Sequence, residues 1–100
     1  ISIAKDGTAI TTVTAGVCAL SAASSHTITF PGALAITSFT APNIEGKFFI
    51  VRVTNANCTF TNGASLKMAG GVNYTPGANG ASVLFLMHSN VAWEITRTAY

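Results

Sequence analysis

Charged side chains are scarce in this sequence, and that scarcity limits what the protein can be. Soluble domains average about 25% charged residues, whereas this chain has 8%. A monomer with so few charges would expose mainly Ser, Thr, Asn and apolar groups, and apolar patches beyond about a few hundred Å² usually mark interaction surfaces. We therefore expect a permanent oligomer; the alternative is a monomer coated in Thr and Ser. The charged residues are Lys5, Asp6, Glu45, Lys47, Arg52, Lys67, Glu94 and Arg97.

The low charge also limits the partners that the sequence predicts. A formal net charge of +2 from scattered residues provides no basic stripe of the kind that nucleic-acid binding requires. Residues 7–44 contain no charged side chain, but Thr, Ser, Gly and Pro interrupt them. No block of about 20 predominantly apolar residues exists. We expect no nucleic-acid partner and no membrane insertion.

Carboxylates, which often act as the general acid or base in catalysis, number only three. Glu45 precedes Lys47 by two residues and Glu94 precedes Arg97 by three. This spacing favours ion pairs over the two opposed carboxylates of a glycosidase. No Gly-x-Ser-x-Gly nucleophile elbow occurs. We expect no catalytic residues in this chain, although upstream regions of a full-length protein could be enzymatic.

Histidine and cysteine are equally sparse, with two residues of each. A metal site would require His26 and His88 to converge, and strand-end histidines with ordinary hydrogen bonds are the better interpretation. Cys18 and Cys58 have no metal-ligand spacing, so the sequence predicts no metal and no cofactor. Two buried free thiols, typical of a reducing cytoplasm, are favoured over a single disulfide.

What the sequence does contain is a series of β-strand signals. Short runs with period-two alternation or β-branched residues are separated by turn residues, and no window has a helical stripe. No internal repeat of about 20 to 50 residues is evident, so a solenoid is not predicted. Residues 15–25 remain unassigned. The predicted strands are Ala9–Thr14, His26–Phe30, Ala35–Thr40, Lys47–Thr54, Cys58–Phe60, Ser65–Met68, Ser82–His88 and Val91–Thr98.

Two of these predicted strands, Lys47–Thr54 and Ser82–His88, are apolar on both faces. Antiparallel sheets on a small monomer normally have one solvated face, so we expect another layer or neighbouring chains to cover both. Arg52 interrupts the first strand. Either its stem extends to the surface, or it forms a buried inter-chain pair with Glu45 or Glu94 that fixes the register of a trimer.

The last predicted strand reads as half-buried, because its residues alternate in character. Strict alternation places Arg97 on the same face as Trp93, and it places Thr96 and Thr98 on the face of Glu94. We expect Trp93 to pack in the core or in an interface.

Four segments, taken in order, resemble the C-terminal trimeric β-module of bacteriophage tail spike and tail fibre proteins. The similarity covers about His26 to Thr98. Two departures are the turn Ser89-Asn90, where the family has Asp-Gly, and the position of Trp93 directly before Glu94. The matching segments are Ala35-Ile36-Thr37-Ser38-Phe39, Gly46-Lys47-Phe48-Phe49-Ile50-Val51, Ser65-Leu66-Lys67-Met68-Ala69-Gly70 and Glu94-Ile95-Thr96-Arg97.

The resemblance implies an all-β fold of short antiparallel strands, a small sandwich or β-prism-like module that is intertwined or packed as a homotrimer. Residues 1–25 would be an N-terminal strand and linker continuing from a missing upstream shaft or body, and residues 26–100 the C-terminal β-module. The implied function is structural: trimerisation and distal capping in a phage tail, assembled in the bacterial host cytoplasm and involved in host attachment. The alternatives are a module that binds host surface polysaccharide, the non-catalytic end of a polysaccharide depolymerase, and a head fibre.

Candidate site residues follow from these expectations. Tyr74 lies between two turn signals and is predicted to be the most exposed aromatic residue. The candidate glycan contacts are Tyr74, Trp93 and Tyr100. The residues predicted to form the trimer interface and its register are Phe48, Ile50, Arg52, Leu84, Leu86 and Glu94.

Overall fold

A computed structural model describes residues 13–14, 16–19, 25–30, 32–41 and 45–100. In these ranges the chain forms ten strands and one 3-10 turn, Ala69–Gly71. The predicted all-β character is confirmed, and no helix in these ranges is long and apolar enough to cross a membrane. The strands are β1 (Val13–Thr14), β2 (Val17–Ala19), β3 (Ser25–Ile28), β4 (Leu34–Ile36), β5 (Ser38–Ala41), β6 (Phe48–Val53), β7 (Cys58–Phe60), β8 (Leu66–Lys67), β9 (Ala81–His88) and β10 (Val91–Ala99).

The strand predictions agree with most of these bounds. Each predicted strand from residue 26 onward overlaps an observed one, and β2 lies in the unassigned stretch 15–25. The predicted strand Ala35–Thr40 is instead two strands, β4 and β5, which meet at Thr37. The amide of Thr37 donates to the carbonyl oxygen of Gly16 at 2.8 Å. Of the predicted strand Ala9–Thr14, residues 9–12 lie outside the described residues.

Strands β2 to β7 form two coils of chain that stack in parallel. The pairs are β2 with β5, β3 with β6 and β4 with β7. Each of β2, β3 and β4 therefore bonds to the third strand after it. The expectation of antiparallel strands is wrong for these three pairs, which are parallel. The stacked residues share burial but not identity, as in Ile36 beside Phe60, so the coils leave no repeat in the sequence.

The second half of the chain extends one of these parallel pairs into a mixed sheet of five strands, in the order β3-β6-β9-β10-β8. β9 runs antiparallel to both β6 and β10, and β8 runs parallel to β10. The β9–β10 hairpin turns through Ser89 and Asn90, whose φ angles are 52° and 63°. Positive φ at both central residues is the type I′ geometry that matches the twist of a hairpin.

A β-bulge at Ile95 changes which face each later residue of β10 occupies. Glu94 is opposite Phe85 and Thr96 is opposite Leu84, so Ile95 is the extra residue. A bulge of one residue inverts the alternation that follows it. The predicted grouping of Arg97 with Trp93 is therefore wrong, because Thr96 takes the Trp93 face and Arg97 takes the Glu94 face.

Aromatic rings fill the core, which is enclosed by the two coils and by the five-stranded sheet that shares β3 and β6 with them. Phe85 lies 5.2 Å from Phe39, 5.4 Å from Phe49 and 5.9 Å from Phe60 between ring centres, within the range of favourable aromatic contact. Cys18 and Cys58 are fully buried in this core and are free thiols, as predicted. Burial raises the pKa of each thiol to about 12.

Candidate functional site

The five-stranded sheet has one face buried in the core and one face turned outward. Side chains alternate between the two faces of a strand, so the buried Phe49, Val51 and Val53 of β6 leave Phe48, Ile50 and Arg52 outside. We call this outward side the outer face. Its residues in the three central strands are Phe48, Ile50, Arg52, Ser82, Leu84, Leu86, His88, Val91, Trp93, Thr96 and Thr98.

Apolar side chains form a continuous strip on one half of the outer face. In the first row across the strands, Leu86 lies between Phe48 and Trp93, and in the second row Leu84 lies beside Ile50. Phe48 is 39% exposed and Trp93 is 41% exposed. These five residues are the apolar strip, and it contains four of the six residues predicted to form a trimer interface.

Trp93 contributes only its ring to this strip. Its Nε1–H donates a long hydrogen bond, 3.4 Å, to the carbonyl oxygen of His88. The polar atom of the indole is therefore satisfied within the chain. Of the two alternatives predicted for Trp93, packing in the core is wrong, because the side chain is 41% exposed, and packing in an interface stays a prediction.

The other half of the outer face is polar and contains a single charge. The guanidinium carbon of Arg52 lies 4.9 Å from the ring centre of Tyr100, within cation–π distance. The hydroxyl of Tyr100 is hydrogen-bonded to that of Ser82 at 3.1 Å. Between this polar end and the apolar strip is a shallow groove of about 180 Å³, lined by Ile50, Ser82, Leu84, Thr96, Arg97 and Thr98.

Glu94, which was predicted to belong to the interface, lies on the opposite face of β10. Its carboxylate accepts hydrogen bonds from Arg97 Nε at 2.6 Å and Nη2 at 2.7 Å, and from the amide of Ala69 at 2.8 Å. Burial raises the pKa of Glu94, but the Arg97 and Ala69 hydrogen bonds outweigh burial and the net pKa is lowered. The predicted ion pair of Glu94 with Arg97 is confirmed.

Tyr74 also lies away from the outer face and is only partly exposed, so the prediction that it is the most exposed aromatic residue is wrong. Its ring is stacked on Phe60 at 6.3 Å between centres. The guanidinium carbon of Arg97 lies 3.7 Å above the Tyr74 ring centre. The structure thus places two of the three candidate glycan contacts, Trp93 and Tyr100, on the outer face but toward opposite ends of it, and it separates Tyr74 from both.

Glu45 is placed at the tip of the β9–β10 hairpin rather than beside Lys47, so the predicted Glu45–Lys47 ion pair is wrong. Its carboxylate accepts a hydrogen bond from the amide of Ser89 at 2.7 Å and contacts Nδ1 of His88. The Ser89 hydrogen bond, and then that of His88, lower the pKa of Glu45. No sequence signal links positions 45 and 88, because only the folded sheet brings them together.

The two histidines do not converge on a metal site. His26 is buried in β3 and His88 is exposed at the end of β9. No set of three or more His, Cys, Asp or Glu in the ranges that the structure describes could hold a metal ion. No family model, no curated protein and no solved structure matches this chain.

Proposed function

We propose that this chain is a self-associating structural module, a homotrimer that forms the trimerisation and distal cap region of a phage tail spike or tail fibre and takes part in host attachment. The proposal includes the corresponding location, the tail of a virion assembled in the bacterial cytoplasm. The observation that carries it is the apolar strip on the outer face. The tail assignment itself rests on the resemblance of the four sequence segments.

The strip resembles an interface because its apolar side chains are adjacent across three strands and are partly exposed to solvent. Phe48, Leu86 and Trp93 are adjacent across three strands, and no charged side chain interrupts them. Fully burying a large apolar side chain contributes about 1.5–3 kcal/mol. Phe48 and Trp93, both about two-fifths exposed, retain a substantial part of that gain for a contact with another copy.

The direct experiment is the solution mass of the chain by light scattering at low micromolar concentration, repeated after dilution. We expect a species of about three chain masses that persists on dilution. The chain mass is 10.2 kDa. A protein that stays at one chain mass at all concentrations would overturn the proposal.

A second candidate, a module that binds host surface polysaccharide, is favoured by one observation. Trp93 and Tyr100 are both exposed on the outer face, with the hydroxyls of Ser82, Thr96 and Thr98 between them. Aromatic rings flanked by hydroxyl groups suit the apolar faces and polar edges of sugar rings. A glycan array tests this candidate, and loss of any glycan signal in Trp93→Ala and Tyr100→Ala would assign the signal to this face.

A further inference from the structure

The sequence contains two Asn-Gly pairs, Asn62-Gly63 and Asn79-Gly80. Asparagine followed by glycine is especially prone to deamidation, because glycine has no side chain to hinder its own amide nitrogen as a nucleophile. That nitrogen attacks the side-chain carbonyl carbon of the asparagine, and the rate depends on how freely the two groups can approach each other. The two pairs have the same chemistry, so the fold decides which of them reacts.

Hydrogen bonds hold both reacting groups of the first pair, Asn62-Gly63. The side-chain oxygen Oδ1 of Asn62 accepts a hydrogen bond from the amide of Met68 at 2.8 Å, and the backbone amide of Asn62 donates to Oδ1 of Asn73 at 2.9 Å. The amide of Gly63 donates to the carbonyl oxygen of Leu66 at 2.8 Å. Both the carbon that would be attacked and the attacking nitrogen are therefore fixed by other contacts.

The second pair, Asn79-Gly80, lies at an exposed turn. The amide of Gly80 donates to the carbonyl oxygen of Gly77 at 2.9 Å, which closes the turn. The side chain of Asn79 is exposed and makes no hydrogen bond within the part of the chain that the structure describes. Once the turn opens locally, the Asn79 amide is free to rotate toward the Gly80 nitrogen, and a leaving group passes directly into solvent.

We infer that Asn79 is a site of spontaneous deamidation in the folded protein, with water as the co-reactant. The nitrogen of Gly80 forms a bond to Cγ of Asn79 while the Cγ–Nδ2 bond breaks, and the amide proton of Gly80 leaves with Nδ2 as ammonia. Water then opens the resulting cyclic imide at either carbonyl carbon. Attack at Cγ gives aspartate, and attack at the main-chain carbonyl carbon gives isoaspartate, whose main chain runs through Cβ and Cγ.

The isoaspartate product lengthens the main chain by one carbon at a junction that is tightly packed. Gly80 is buried, and a Cβ atom there would lie 1.8 Å from the carbonyl oxygen of Val53. The carbonyl oxygen of Gly80 accepts a hydrogen bond from the amide of Tyr100 at 3.2 Å. The next residue, Ala81, pairs with Val53 in β6 and with Ala99 in β10. We therefore expect the isoaspartate form to distort the start of β9 and to be less stable than the unmodified protein.

Peptide mapping of the folded protein during incubation in a mildly alkaline buffer tests this inference. Trypsin cleaves after Arg52, Lys67 and Arg97, so the two Asn-Gly pairs fall in different peptides, 53–67 and 68–97. Fragmentation in the mass spectrometer then locates the change from amide to acid within each peptide, and a sample taken at the start corrects for deamidation during digestion.

The expected result is faster deamidation at Asn79 than at Asn62. The hydrogen bond from the Met68 amide to the Asn62 side chain has no counterpart at Asn79 within the described residues. A hydrogen bond that must break slows such a reaction about two- to tenfold, so we expect Asn79 to react at least about threefold faster than Asn62.

Two controls show whether the fold causes this difference. The chain unfolded in guanidinium chloride should deamidate at both pairs at similar rates, because the hydrogen bonds that distinguish them are lost. Asn79→Gln should remove the faster reaction, since the longer glutamine side chain closes a ring slowly, whereas Asn62→Gln should leave the reaction at Asn79 unchanged.

A melting comparison tests the effect on the sheet. Ion exchange separates the deamidated protein, because deamidation adds a negative charge. Asn79→Asp has the same charge without the additional main-chain carbon, and it is therefore the matched control. We expect the deamidated fraction to melt several degrees below the wild type and Asn79→Asp to melt close to the wild type.

The inference is overturned if folded protein deamidates at Asn62 as fast as at Asn79, or if Asn79 reacts only in the unfolded chain. A deamidated fraction that melts at the same temperature as Asn79→Asp would overturn the expected distortion of β9. Peptide mapping measures the same reaction in a monomer and in an oligomer, so failure of the proposed self-association would leave this inference standing.

Discussion

Glu94 and Arg97 lie three residues apart in one strand, and they form a bidentate ion pair on the same face of the sheet. In an unbroken strand such residues would point to opposite faces. The bulge at Ile95 brings them together, and the guanidinium then covers the ring of Tyr74. The bulge at Ile95 thus allows the last strand to contact the loop that contains Tyr74.

Arg97→Ala should destabilise the fold by about 2 kcal/mol, since it leaves the buried Glu94 carboxylate without its charged donor and uncovers Tyr74. Urea denaturation measures this change. Lys47→Ala, which removes a cation that has no ion pair among the described residues, serves as the matched control and should change stability by less than about 0.5 kcal/mol. Equal losses in the two variants would contradict the role assigned to Arg97.

The stability of the protein should fall in acid, because the folded state lowers the pKa of both Glu94 and Glu45. The ordinary value of each carboxyl is 4.5. A depressed folded pKa contributes stability that is fully present above this value and is lost as pH falls through the folded pKa. Thermal melting across acid pH checks the direction, and Glu94→Gln should melt at a lower temperature near neutral pH and show a shallower acid slope. A Glu94→Gln slope equal to that of the wild type would rule Glu94 out as a contributor.

Gly80 allows a close approach of two backbone segments that a side chain would prevent. Its φ is +77°, and a Cβ atom at this position would lie 1.8 Å from the carbonyl oxygen of Val53. Gly80→Ala should therefore cost more than about 2 kcal/mol or abolish folding, since both backbone strain and a clash oppose it. Gly63→Ala is the control, because nothing lies within 4 Å of a Cβ there, and it should leave the melting temperature within a few degrees of the wild type.

Adjacent residues of β9 should separate association from folding. Leu86 belongs to the apolar strip and Phe85 to the core. Leu86→Ser should weaken the oligomer strongly in a light-scattering dilution series, with a smaller loss of stability in the dissociated chain. Phe85→Ala should cost about 3–5 kcal/mol of folding stability. A Leu86→Ser variant with wild-type association would remove the strip from the interface.

The thiols of Cys18 and Cys58 should resist alkylation in the folded protein. Both are fully buried, and their raised pKa of about 12 leaves almost no thiolate at neutral pH. Mass spectrometry after iodoacetamide treatment should find no label in native buffer and two labels in denaturant. Rapid labelling of the native protein would show that the core around these residues opens.

The strands were predictable from sequence because their signals are local. Alternation in Phe48–Val53, and the turn residues before Ala81 and after His88, mark β6 and β9 within a few residues of their ends. The parallel pairing was not predictable, because partners such as Cys18 and Phe39 lie 21 residues apart and share only burial.

The site was predictable in part for the same reason. The two-sided strands identified Phe48, Ile50, Leu84 and Leu86, since a face without polar residues is visible in the alternation. The bulge at Ile95 gave no signal, because the alternation of residue types continues through it while the backbone does not. It moved Arg97 to the Glu94 face, where a regular strand would have placed it beside Trp93.

The parallel pairing of β2, β3 and β4 with β5, β6 and β7 bears on how the chain comes apart. Each strand of the first coil is held by a strand formed 21 to 25 residues later, as the pairs Val17–Ser38, Ser25–Ile50 and Leu34–Cys58 indicate. Neither coil therefore has a complete set of hydrogen bonds on its own. We therefore expect the two coils to form and to unfold together. Because their hydrogen bonds join residues distant in sequence, we expect folding to be slower than in proteins with mainly local contacts.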